Sequence, residues 1–173
     1  MKKIKFLLVL LLAMTTAVFA QENDLETQLN NYLINVEALI EVGEPTINGY
    51  LEVIDSNLEI IKNSPIDEKN KEAYILSFEG FDGNGGFKFL AKNLLNKINK
   101  LEIQTNKFKE VLPLLYTDNQ LVLEEFTKMA NLFEGILESD KNFRNKFNET
   151  WSNFKSDYKI AKLTQEVLDS REQ

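Results

Sequence analysis

The stretch FKFLAKNLLNKINKLEIQTNKFKEVL, residues 87–112, decides the fold class of this chain. Phe87, Ala91, Leu94, Ile98, Leu101, Thr105, Phe108 and Leu112 recur at alternating intervals of four and three, a heptad seam held for nearly four repeats. A strand alternates every two residues, so this spacing predicts a long helix. It also asks for partner helices crossing at a shallow angle. Pro113 follows Leu112 directly and predicts a break there.

The same rhythm continues on both sides. Leu25, Leu29, Tyr32, Val36 and Leu39, flanked by Leu33 and Ile40, predict a first helix. Gly43-Glu44-Pro45 should end it, with glycine suited to a left-handed C-cap and proline to a new helix start. A second helix then runs from about Pro45 to Ile61 on Ile47, Leu51, Ile54, Leu58 and Ile61. Ser64-Pro65 reads as the N-cap and first turn of a short third helix reaching about Phe78, carrying Ala73, Tyr74 and Leu76. Beyond Pro113, Thr117 and Gln120 have capping-box spacing and open a fifth helix near residue 117, with Val122, Phe126, Met129, Phe133 and Ile136 as its seam. Ser139 or Asp140 should cap a sixth, built on Phe147, Trp151, Phe154, Tyr158, Ala161 and Leu168, with Arg144 and Gln165 near solvent. The expected fold is all-α: an elongated antiparallel bundle of five to six helices forming one domain over residues 21–173, with no apolar face wider than core packing requires.

Residues 1–20 read differently. Lys2, Lys3 and Lys5 precede an apolar run from Phe6 to Met14, and Val18-Phe19-Ala20 ends in the small-residue pattern of a cleavage site. This is the signature of a signal peptide, too short for a comfortable membrane span. The expected location is secreted or periplasmic. Removing the segment leaves 17 basic against 27 acidic residues, a formal charge of −10. So acidic a surface repels phosphate backbones and argues against nucleic acid as a partner.

The chain has no Cys and no His. An exported domain so composed folds by packing alone, and a lipid anchor attached through a cysteine thiol is excluded. The commonest general base, the best nucleophile and the soft metal ligands are missing too. Carboxylate chemistry would have to come from pairs such as Glu124-Glu125, Asp67-Glu68 or Glu37 with Glu41, which at these spacings read as solvated faces. The expectation is a non-enzyme without metal or cofactor.

Three features invite a binding role. Gly80-Phe81-Asp82-Gly83-Asn84-Gly85-Gly86 precedes the long helix and reads as a flexible connection. It lacks the Lys-Ser/Thr of a nucleotide loop, and Asn93 stands where an EF-hand needs glutamate, leaving Glu79, Asp82 and Asn84 as weak cation contacts at most. Phe78, Phe81, Phe87 and Phe89 bracket it. Either Phe78 and Phe87 plug the bundle end with Phe81 folded over them, or Phe81 and Phe89 face a partner or a membrane surface. The stripe Phe143, Phe147, Trp151, Phe154 and Tyr158 is either packed core or the lining of an apolar cavity. Asn148-Glu149-Thr150 matches a glycosylation sequon inside a predicted helix. The candidate contact residues are therefore Phe81, Phe89, Trp151, Phe154 and Tyr158. The expected function is a non-catalytic protein-interaction module, with self-association into a homo-oligomer as a corollary. The alternative is a carrier of hydrophobic ligands or a membrane-active bundle.

Overall fold

The structure is a computed structural model describing residues 22–171. The expected signal segment, 1–20, lies outside the described residues. Among the residues described there is no strand. The described residues form four α-helices, α1 Glu22–Lys62, α2 Glu68–Glu79, α3 Phe87–Val111 and α4 Asn119–Arg171, with a 3-10 turn, Leu112–Leu114, after α3. The all-α expectation holds, but five to six helices become four, because two expected breaks are absent.

The first is Gly43-Glu44-Pro45, through which α1 runs without interruption. Pro45 offers no N–H to the carbonyl four residues back, yet Glu41 and Pro45 are both exposed, so solvent can donate to the freed oxygen. Thr46 adds a hydroxyl bond to the Val42 carbonyl at 2.6 Å. Gly43 serves close approach instead of capping: a Cβ placed there would lie 2.7 Å from Ile98 Cδ1. The second expected break, at Ser139 and Asp140, falls inside α4. Ser139 donates back to the Gly135 carbonyl at 2.6 Å and receives the Lys97 ammonium at 2.7 Å. Asp140 accepts from Tyr50 and pairs with Arg144. Both side chains are committed to bonds other than an N-cap.

The real caps lie near the expected ones. Asp67, not Ser64, caps α2, accepting the Asn70 N–H at 3.0 Å, while Ser64 is buried and donates back to the Ile61 carbonyl. Asp118 accepts the Leu121 N–H at the start of α4. Pro113 ends α3 as expected.

Chain contacts divide the molecule into two compact units, and α1, α3 and α4 each contribute to both. In the unit of residues 22–41 and 100–134, Leu29, Val36, Leu101, Phe108, Val122, Phe126 and Met129 are buried. Glu37 pairs with Lys109, and Gln104 donates to Glu125. In the unit of residues 42–99 and 135–171, the core is Ile54, Leu58, Ile61, Phe78, Phe87, Leu94, Phe143 and Phe154. Gly43 beside Ile98 and Asp55 beside Lys88 make α1 and α3 antiparallel within this unit. Phe78 on Trp151 and Tyr74 on Phe154 lay α2 antiparallel along α4.

The seam from Phe87 to Phe108 is buried at every expected position, Thr105 included, whose hydroxyl bonds the Leu101 carbonyl. The end of α4 departs from expectation. Leu168 is exposed, as are Ile160, Leu163 and Val167. One helix therefore does carry apolar surface beyond its core.

The helix glycines are not equivalent. A Cβ at Gly135 meets nothing within 4 Å. Gly135→Ala is expected to raise stability by about 0.5–1 kcal/mol through helix propensity alone. Gly43→Ala has the same propensity gain but must displace the buried Ile98, and is expected to lower stability; urea unfolding of the two variants checks the opposite signs.

Candidate functional site

The glycine-rich connection is a built turn. Phe81 donates its N–H to the Asn84 carbonyl at 2.9 Å, and Asn84 donates to the Phe81 carbonyl at 2.9 Å. Asp82 and Gly83 between them sit at φ 49° and 75°. Two left-handed central residues closed by reciprocal bonds make a type I′ turn, for which Asp-Gly is a preferred pair. The expected connection between helices thus has a defined turn geometry, whose signal was present in Asp82-Gly83. Gly80 sits at φ 83°, ψ 173°, a region essentially restricted to glycine, while its N–H caps α2 on the Leu76 carbonyl at 2.8 Å. Gly86 packs directly on this backbone: a Cβ there would lie 2.2 Å from the Gly80 nitrogen.

This turn holds Phe81 at 75% exposure. Phe78 and Phe87 do plug the interior, with ring centroids 5.2 Å apart, but Phe81 does not fold over them. Phe89, in the first turn of α3, is half-buried.

The other three candidates are brought together, Phe154 buried and Trp151 and Tyr158 half-buried beside it. Trp151 stacks on Phe154 at 4.9 Å with the planes 17° apart, and Tyr158 lies 6.0 Å from Phe154 on the other side. Tyr74 meets Phe154 edge-on at 5.4 Å, and Phe78 meets both Phe147 and Trp151 edge-on. The edge-to-face and stacked contacts are those favoured by ring quadrupoles.

Sequence reasoning missed two hydroxyl–carboxylate bonds that hold α1 and α2 to α4. Tyr50 donates to Asp140 and Tyr74 to Asp157, each at 2.8 Å. Burial first, then the carboxylate that accepts the bond, pushes both phenols up to about 12. Tyr32 is also pushed up to about 12, by burial and then by the charge of Glu134, but its buried hydroxyl has no hydrogen-bond partner.

The same substitution should therefore act with opposite signs. Tyr32→Phe removes an unsatisfied hydroxyl and is expected to be neutral or stabilising, whereas Tyr50→Phe and Tyr74→Phe strand a carboxylate and should each cost about 1–2 kcal/mol. The three phenols hold their protons more tightly in the folded state than at the ordinary value of 10. Their contribution is complete below pH 10 and is lost as pH rises through about 12. Denaturation midpoints should fall across that window, and the fall should shrink in the triple Phe variant.

The acidic pairs are tied into structure. Glu37 pairs with Lys109, Asp67 caps α2, Glu68 pairs with Lys71, and Glu124 accepts the Gln120 amide. Glu125 bonds Lys128 first and Gln104 second, which together hold its carboxyl below the ordinary range. No group of three or more His, Cys, Asp or Glu among the described residues could hold a metal ion, and no described helix is long and apolar enough to cross a membrane. In the unit of residues 22–41 and 100–134, Leu33, Leu112, Pro113, Leu115 and Tyr116 line an open groove of about 470 Å³, with Glu26 and Lys109 at its edge.

Comparison with protein-family models, with curated proteins and with solved structures finds no match to this chain.

Proposed function

We propose that this is an exported, non-catalytic interaction module whose principal contact is the Phe81 turn, used to hold another protein outside the cytoplasm. The observation that carries the reading is the contrast between two sets of aromatics. Trp151, Phe154 and Tyr158 spend their surface on each other and on α2. Phe81 spends its surface on nothing, although two backbone hydrogen bonds and a glycine-only conformation fix the turn that bears it. An aromatic side chain presented on a closed turn loses little conformational entropy on binding, as an interface anchor requires.

Phe81→Ala is expected to abolish capture of the partner from native extracts while leaving the unfolding midpoint within about 0.5 kcal/mol of the parent. Undiminished capture by the variant would overturn the assignment. The alternative, carriage of a hydrophobic ligand, has one observation in its favour: the open groove around Leu33, Leu112 and Leu115. Native mass spectrometry separates the two, because a carrier retains a small apolar adduct that a module lacks.

A further inference from the structure

The last turns of α4 stand apart from the rest of their unit. Every residue from 162 to 171 is exposed, on all sides of the helix. A helical segment this short draws little stability from propensity alone, and helices in proteins owe most of theirs to packing of an apolar face. Here the face is present and bare. Ile160, Leu163 and Val167, spaced three and four apart, are 61%, 52% and 51% exposed, with Leu168 beside them.

The charges on this segment are ordered in a way that does not serve the segment itself. Lys155, Lys159 and Lys162 dominate the first half, with Asp157 among them, and Glu166 and Asp169 lead the second, with Arg171 at its end. Lys162 before Glu166 is the poorer order for a pair four apart, and Glu166 and Asp169 oppose the helix dipole that Arg171 alone complements. Among the described residues, Lys159, Lys162 and Glu166 form no ion pair. A parallel copy would set lysine against lysine. An antiparallel copy sets the basic half against the acidic half, making the surface self-complementary, as a two-fold interface must be.

We propose that residues 156–167 of α4 pair antiparallel with the same residues of a second copy, forming a homodimer. With Ile160 and Val167 at a, and Ser156 and Leu163 at d, the layers are Ile160 on the partner's Leu163 and Val167 on the partner's Ser156, each occurring twice by symmetry. In that register Lys159 lies beside the partner's Glu166, again twice. The register one heptad further along would set Asp157 beside the partner's Arg171 but oppose Glu166 to the partner's Glu166, so the balance of charges still favours the first. A lipid surface suits this segment less well, because Glu166 and Asp169 would be driven against headgroups that attract its lysines. The inference goes beyond the interaction module and does not use Phe81.

The test is sedimentation equilibrium of the chain from Gln21 on, which contains every described residue. Twice the chain mass, approached as concentration rises, is expected. Val167→Asp should give monomer at all concentrations. Lys159→Glu and Glu166→Lys should each weaken association about tenfold, since each turns two attractions into repulsions. The double variant should restore it. Residues 159 and 166 lie two turns apart on one helix, so rescue can arise only between copies. Phe81→Ala should leave the dimer unchanged, which keeps this proposal separate from the assigned partner surface. A monomer at every concentration, a double variant as weak as the singles, or binding of the monomer to anionic phosphatidylglycerol vesicles through Lys159 would overturn it.

Discussion

Phe78→Ala is expected to cost about 4 kcal/mol of folding stability, the upper part of the range for removing a buried aromatic ring. Phe78 is fully buried and is the one buried residue of the twelve-residue α2. Its ring is met by Phe87 from α3 and by Phe147 and Trp151 from α4, centroids 5.2 to 6.2 Å away. Three rigid rings anchored on two other helices cannot collapse into the space left behind, so the full cavity penalty should appear. Without that contact α2 is left with the half-buried Tyr74, edge-on to Phe154 and bonded to Asp157, and with surface pairs, and a free helix of its length is marginal. Urea unfolding reports the loss, and amide exchange in residues 68–79 should accelerate ahead of the rest. A cost below about 1 kcal/mol would mean that the rings already surround a void.

Gly80→Ala should be nearly as damaging, for a backbone reason. At φ 83° and ψ 173° an alanine pays roughly 1–3 kcal/mol for the conformation alone. Its methyl would also lie 2.2 Å from the Asn84 carbonyl oxygen, which is fixed by the reciprocal bonds to Phe81. A total near 3 kcal/mol is expected, with the turn opened and Phe81 released from its fixed position. Gly83→Ala is the control. It has a positive φ of 75° but nothing within 4 Å, so it should cost only about 1–2 kcal/mol. Equal costs at the two positions would contradict the closed turn.

How much of this was legible in the sequence depended on whether a residue acts through periodicity or through a neighbour. The seam of α3 was readable because heptad spacing is a property of the helix itself, and every residue from Phe87 to Phe108 at that spacing is buried. Gly43, Pro45 and Ser139 misled because each is ambiguous alone. Gly43 answers to Ile98, fifty-five positions away, and Ser139 to Lys97 and to its own preceding turn. Pro45 is tolerated where Glu41, whose carbonyl it frees, and Pro45 itself are both exposed. Leu168 kept the seam rhythm after the helices that could cover it had run out, and no spacing rule reports where a neighbour ends. For the candidate contacts, Asp82-Gly83 carried a usable turn signal that the surrounding glycines obscured. The packing of Trp151, Phe154 and Tyr158 required knowing that α2 lies across them, which is tertiary information.

The proposed contact with the partner is Phe81, and not the aromatic interior. Site-specific photo-crosslinking in the native cells tests it most directly, with benzoylphenylalanine replacing Phe81 in one variant, Phe154 in a second and the exposed Glu149 in a third. A discrete protein adduct is expected from position 81, and only intrachain products from positions 154 and 149. Adducts to lipid or another small apolar molecule from position 154, or no protein adduct from position 81, would contradict it.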